Sequence, residues 1–325
     1  SIRRQRQMCI RDSPLNIPTL NIEAKNITET TLSDFDVVIL LAGISNDPLE
    51  NLDAELMYNP TREYAKRIAQ ICKKLSIRFI FPSSCSVYGI ADGIVDEDGE
   101  TSPQTPYSLN KLQIEQDLSD LADESFSPIA LRLATVFGIS PRMRFDLVIN
   151  MLCGMAITQK QVILNSDGQS WRPHLHIDDV CQAIKSCIDW DYKDGKLMIL
   201  NVGRNDNNWK IIDIAELIAS KVPGCELSFL GKSGSKDSEN LVADRKVQDG
   251  VDKRTYQVSF DKIHDLLPKY NTSWNLETGI DNLIEQLKYW RLNETKFMQR
   301  DFYRLQQVEH LNRTNQMDNE LKVKW

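Results

Sequence analysis

From Asp36 the chain reads DVVILLAG, an apolar run closed by glycine, the pattern of a parallel strand buried on both faces. The segment NPTREYAKRIAQICKKL then sets Ala65, Ile68, Ala69, Cys72 and Leu75 on one side and Arg, Lys and Gln on the other, which predicts an amphipathic helix. RFIFPSSCSVYG reads as a second strand, Tyr107 to Glu124 as a helix with Leu118, Leu121 and Ala122 inward, and PIALRLATVFG as a third strand. Strand, helix, strand, helix, strand predicts a parallel sheet with right-handed crossovers. Ligands in such sheets bind beyond the carboxyl ends of the strands, so the residues just after ILLAG, FIFPSS and RLAT carry the functional interest.

After about residue 150 the rhythm loosens. Shorter strands (QVILNS, LMILNVG), two helices (IIDIAELIASKV, LETGIDNLIEQLKYW) and the polar stretch GKSGSKDSEN predict a smaller α/β domain over residues 151–290, with an interwoven boundary to residues 14–150. Residues 291–325 are charged, with Met298, Phe302, Leu305 and Val308 near helical spacing, and are expected to form a surface helix that frays.

Composition narrows the function classes. The chain has 325 residues, 41% of them apolar and 26% charged, which suits a globular protein with a substantial core. Its 39 basic and 46 acidic residues give a net charge of −7, so neither nucleic acid nor an anionic membrane is an expected partner. No stretch approaches a membrane span and the N-terminus lacks the apolar core of a signal peptide, so a cytoplasmic location is expected. The seven cysteines have no paired spacing, and His174 and His176, two residues apart with no further Cys or His nearby, make a poor site, so neither disulfides nor a metal are expected. His176 reads as a structural hydrogen-bonding residue within HIDD, and Cys85 as a packing residue.

The chemistry concentrates in YSLNK, where Tyr107 and Lys111 lie one helical turn apart, and in Ser83 and Ser84 at the end of the second strand. A phenol becomes a usable base when an ammonium and a second positive charge sit beside it. Lys111 would supply one and an oxidised nicotinamide the other, with Ser84 donating a hydrogen bond to the sugar oxygen whose charge changes.

These segments resemble the extended short-chain dehydrogenase/reductases, specifically the NAD-dependent nucleotide-sugar epimerase/dehydratase family, from about Asn26 to Leu287. DVVILLAG resembles the strand whose end lies on the cofactor, Asn59 the helix-opening Asn, SSCSVYG and YSLNK the catalytic segments, LRLATVFG the strand closing the nucleotide domain, and WRPHLHIDDV the R-x-x-x-H-x-x-D segment. The resemblance implies a Rossmann-type doubly wound sheet, NAD (or NADP) as cofactor, a nucleotide-sugar substrate and a homodimer. It implies catalysis by Ser84, Tyr107 and Lys111, with cofactor contacts at Leu41, Ala42, Gly43, Asn59, Ser83, Tyr107 and Lys111. GISPRMRFDLVINML resembles a sugar-epimerase loop, and Arg142, Arg144, Arg172 and, less directly, Arg254 are candidate clamps for a diphosphate. Thr135 stands where many 4-epimerases carry Asn.

Within that family the 4,6-dehydratases carry Asp-Glu directly after the catalytic Ser/Thr, whereas Cys85 and Ser86 occupy those positions here, which favours an epimerase. A keto-sugar reductase uses the same three residues, and a dehydratase or decarboxylase outcome stays open. Residues 1–35 contain no glycine, so the family's glycine-rich phosphate loop and first strand are expected to be missing. RRQRQMCIRDS resembles translated sequencing-adapter DNA, so residues 1–13 are expected to be artefactual or disordered. The expectation is a parent enzyme of surface-polysaccharide precursor synthesis, with this chain inactive; a non-catalytic binding protein is the alternative from another class.

Overall fold

A computed structural model of the chain describes residues 18–43, 54–229 and 254–316. The expected artefact at residues 1–13 and all of GKSGSKDSEN lie outside the described residues. In chain order the first elements are α1 (Glu29–Leu32), β1 (Val37–Ile39), α2 (Ala54–Lys74), β2 (Arg78–Ser84), β3 (Ile90–Val95), α3 (Pro106–Leu121) and β4 (Ile129–Leu133). Next come β5 (Thr135–Phe137), α4 (Val148–Gln159), β6 (Gln161–Leu164), β7 (Trp171–His176), α5 (Ile177–Asp189), β8 (Met198–Val202), β9 (Asn208–Lys210), α6 (Ile211–Lys221) and β10 (Glu226–Phe229). The last are β11 (Thr255–Val258), α7 (Asp261–Leu266), α8 (Leu276–Tyr289), α9 (Glu294–Phe297) and α10 (Arg304–Arg313).

The principal sheet is parallel throughout, in the order β1-β2-β4-β8. Alternation along its strands feeds two cores. Phe79, Phe81 and Ala130 pack with Ala65, Ile68, Ala69 and Cys72 of α2 and with Ile114 and Leu118 of α3. Ile80, Ile129 and Leu131 point the other way, to Val180, Ala183 and Cys187 of α5 and Ile263 of α7. Each fully buried Ile, Leu or Phe contributes about 1.5–3 kcal/mol relative to exposure.

Two features depart from the sequence pattern. Helix α2 starts at Ala54, before Asn59, and runs through Pro60. The strong helix formers ahead of the proline outweigh its lost N–H, and Asn110 of α3 ties down the same turn by donating to the Tyr58 carbonyl at 3.0 Å. Strand β8, read from the sequence with the second half of the chain, returns to the principal sheet beside β4.

The smaller sheets are β5-β7-β9, β6-β10 and β3-β11. A third core joins α4, α6 and α8 around Ile149, Leu152, Ile214, Ile218, Ile280 and Leu283. The C-terminal segment belongs to it. Leu292 and Phe297 are buried there, and Met298, Phe302 and Tyr303 pack against it, so the expected fraying surface helix is instead a pair of short helices next to this third core.

Candidate active site

Helix α3 opens with a capping box in which Thr105 and Ser108 satisfy each other's backbone N–H, and Pro106 sits in its first turn. That start fixes Tyr107 and Lys111 one turn apart, against β2 and the 3₁₀ turn Cys85–Tyr88. The Lys111 ammonium donates to the Pro82 carbonyl at 2.7 Å and lies 4.4 Å from the Phe81 ring centre and 5.7 Å from that of Tyr107. Burial lowers its pKa to about 8, with Glu115 working the other way. Pro82 is tolerated because the pairing of β1 with β2 ends at Ile80, and its carbonyl is the one that holds the lysine.

Ser84 ends β2 and caps the next turn, its Oγ accepting from the Ser86 N–H at 3.2 Å. Gly89 closes that turn with φ +62°, and a Cβ there would overlap the Ser102 carbonyl oxygen. Ser83 is buried and donates its hydroxyl to Glu115. Its side chain therefore supports the site from beneath. Glu115 also takes three hydrogen bonds from Arg132, the shortest 2.8 Å. Arg132 donates to the Tyr88 hydroxyl at 2.9 Å, which donates to Asn201 at 2.8 Å, whose backbone N–H donates to Glu97 at 2.6 Å.

At the carboxyl end of β1, Leu41 is exposed, Ala42 packs inward, and a Cβ on Gly43 would lie 3.2 Å from a methyl of Thr61. Asn59 is exposed on α2. Cys85 is buried, donates to the Arg132 carbonyl at 3.1 Å and has its thiol pKa pushed up, first by desolvation. It is a packing residue. His176 caps α5, its Nδ1 accepting from the Asp178 N–H at 3.3 Å, and burial lowers its pKa.

The five substrate-side residues fall into two groups. Arg172 is buried, stacks 5.4 Å from the Tyr256 ring and donates to the carbonyls of Trp171 and Arg254, so Arg172 and Arg254 meet through the backbone of the latter. Thr135 pairs with His174 across β5 and β7. Arg144 is fixed by a bidentate pair with Asp146 at 2.8 and 2.9 Å, and Asn150 holds the loop by donating to the Arg144 carbonyl and accepting from the Gly138 N–H. Arg304 of α10 lies within the electrostatic reach of Arg142, Arg144, Asp146 and Tyr107. Nothing in the tail's charge pattern singled out Arg304 among its neighbours; the aromatic pair Phe302-Tyr303 beside it was the available signal that the tail packs.

The model of the NAD dependent epimerase/dehydratase family matches residues 2–203. The chain belongs to that family. It is 31% identical over 159 residues to an uncharacterized UDP-glucose epimerase, YtcB, of Bacillus subtilis (strain 168), a match covering 48% of this chain and 49% of that one. The chain thus spans about half the length of this relative. Among solved structures, UDP-glucuronic acid 4-epimerase from Bacillus cereus, in complex with UDP-glucuronic acid and NAD, superposes with a TM-score of 0.68 at 21% identity, over 83% of this chain and 81% of that one. TunA, an NAD-dependent NDP-hexosamine 5,6-dehydratase of tunicamycin biosynthesis, does so with a TM-score of 0.70 at 19% identity, over 88% and 89%. The principal sheet is accordingly the Rossmann-type sheet of the epimerase/dehydratase family, and the Ser84 turn and the Tyr107/Lys111 helix stand at the carboxyl end of β2.

Proposed function

We propose that this is an NAD-dependent nucleotide-sugar epimerase working through a transient keto-sugar, with Tyr107 as the base. The observation that carries the reading is the Lys111 ammonium held between the Pro82 carbonyl and the Tyr107 ring, at the edge where β2 delivers Ser84. The ammonium stabilises negative charge on the Tyr107 oxygen as it takes the sugar hydroxyl proton. Ser84 donates a hydrogen bond to the same sugar oxygen. NAD, when bound, would supply reversible hydride transfer. The exposed Leu41, with Gly43 and the Tyr107/Lys111 pair, fits the nicotinamide-ribose end of such a cofactor; the pyrophosphate end is assigned to no described residue.

The residue after Ser84 favours epimerisation over dehydration. Elimination of water needs an acid and a base at that point, and the buried Cys85, its thiol bound to the Arg132 carbonyl, can act as neither. The family resemblance favours a role in surface-polysaccharide precursor synthesis, and Leu109, exposed on α3, fits a homodimer contact along that helix. The test is turnover of UDP-glucose and UDP-glucuronate with added NAD. Tyr107→Phe is expected to lower kcat by about 10²–10⁴-fold with the fold retained. Turnover at the wild-type level in that variant would remove Tyr107 from the chemistry and with it the proposal.

A further inference from the structure

We infer that Glu115 is a positioning residue for the reaction proposed above: through its hydrogen bond with Ser83 it locks α3 to the end of β2, and so fixes Tyr107 relative to Ser84. The inference rests on the epimerase reading for the chemistry that this alignment serves.

The geometry consists of two residue pairs. Pro82 and Ser83 are consecutive on β2, and Lys111 and Glu115 are one turn apart on α3. The Lys111 ammonium donates to the Pro82 carbonyl at 2.7 Å, and the Ser83 hydroxyl donates to the Glu115 carboxylate. One such attachment would leave the helix able to pivot on the strand, whereas two along its axis set its rotation and its register together. Ser84 follows Ser83 directly and Tyr107 lies one turn before Lys111, so the same two attachments set the tyrosine relative to the serine. Glu115 is held from β4 as well. Arg132 reaches it through hydrogen bonds of 2.8, 3.2 and 3.2 Å, and Ser83, Glu115 and Arg132 are all buried.

Packing alone does not call for this carboxylate. Ile114 and Leu118 already seat α3 on Phe79, Phe81 and Ala130, and a buried ion pair is often replaceable by apolar side chains without loss of stability. Apolar contact has no preferred direction, but a hydrogen bond weakens steeply away from its distance and angle. A misplacement of about 1 Å can cost a reaction about 10²-fold, which is a reason to hold a helix that carries a reacting group by directed bonds. Glu115 also acts on the lysine. Burial is what chiefly lowers the Lys111 pKa, and the Glu115 charge opposes it. The ammonium otherwise meets the Pro82 carbonyl and the rings of Phe81 and Tyr107. Cys85 and Tyr88 of the adjoining turn bond Arg132, and Arg62 and Lys66 of α2 pair with Asp117.

Two readouts on the full chain test this, and one needs no turnover. NMR of ¹⁵N-labelled lysine, with the Lys111 signal assigned by its loss in Lys111→Met, follows the Lys111 titration in the ligand-free protein. Its midpoint is expected to fall by about one pH unit in Glu115→Gln and to return toward wild type in Glu115→Asp. Kinetics with UDP-glucose, UDP-glucuronate and added NAD give the second readout. Ser83→Ala, which keeps both charges and spares the fold, and Glu115→Gln are each expected to lower kcat about 10- to 100-fold with KM little changed. Leu118→Ala, which loosens the same helix through its apolar contacts alone, is expected to keep the wild-type kcat, with thermal midpoints checking that each variant is folded. Wild-type kcat in Ser83→Ala, an equal loss in Leu118→Ala, or an unmoved Lys111 midpoint in folded Glu115→Gln overturns the inference. Absence of turnover in the wild-type chain defeats the epimerase reading by itself; the Lys111 midpoint then decides, a lowered value upholding the hold of Glu115 on the lysine and an unmoved one overturning it.

Discussion

Two arginines, Arg132 and Arg304, are both drawn out of water, and they end in opposite electrostatic states. Burial works against the Arg132 cation, yet the hydrogen bonds from Arg132 to Glu115 more than offset it and hold its pKa above the usual value. Burial works against Arg304 as well, and there the neighbouring Arg144 and Arg142 add to the penalty. The first arginine belongs to a closed network, Ser83–Glu115–Arg132–Tyr88–Asn201–Glu97, running beside the end of β2. The second has Arg144, Arg142, Asp146 and Tyr107 among the charges and dipoles that act on it. A buried charge that is matched by a hydrogen-bonded partner is held by the fold, and one set beside like charges works against it.

The most severe test of this contrast is to open the closed network. Glu115 and Arg132 form a 2.8 Å ion pair with side-chain exposures of 3% and 4%. Glu115→Gln leaves the guanidinium buried without its counter-charge and is expected to cost about 3–5 kcal/mol. Urea unfolding monitored by circular dichroism would measure it. A loss under about 1 kcal/mol, the range of exposed surface pairs, would mean that the pair is hydrated and that the contrast with Arg304 is false.

The same two regions show what the sequence conveyed. Strands β2 and β4 were legible because strands buried on both faces are written as continuous apolar runs, and the packed face of α2 because its spacing is helical; β1 carries the same apolar pattern but is a short, half-buried edge strand, so its expected burial on both faces is corrected. The placement of Tyr107, Lys111 and Ser84 was legible because it depends on local spacing and on the end of β2. Glu115 was not. In YSLNKLQIEQDL it reads as one more charge on a solvated helix face, and its burial depends on Arg132, a partner on another element. The surroundings of Arg304 were hidden for the same reason, since they depend on long-range packing of Phe302 and Tyr303 on Phe145. The return of β8 to the first sheet is equally a tertiary choice, because MILNV would serve either domain.

A smaller effect is expected at His174, a buried base that sits under Arg172. Its ring nitrogens have no hydrogen-bond partner and it is fully buried; burial first, and Arg172 second, lower its pKa to about 3. The folded value lies below the unfolded one of about 6.5, so between pH 6.5 and 3 the unfolded chain takes up a proton that the native state refuses. Stability falls as the pH drops through that window. Between pH 6.5 and 5 the loss attributable to this residue is about 1.5 kcal/mol. Comparing wild type with His174→Gln at both pH values isolates it. Identical pH slopes in the two proteins would show that His174 is protonated in the native state and that its surroundings supply a counter-charge, as those of Arg132 do.

The smallest expected change bears most directly on the difference between the two arginines. If the Arg304 charge works against the fold, Arg304→Gln removes a desolvated charge from beside two like charges, and the protein should lose no more than about 0.5 kcal/mol of stability or gain slightly. The aromatic seat of Phe145 on Phe297, Phe302 and Tyr303 is untouched by the change. Urea unfolding of the variant beside wild type measures the change. A loss of about 2 kcal/mol or more would place Arg304 with Arg132, as a charge the fold itself requires, and the distinction drawn between them would fail.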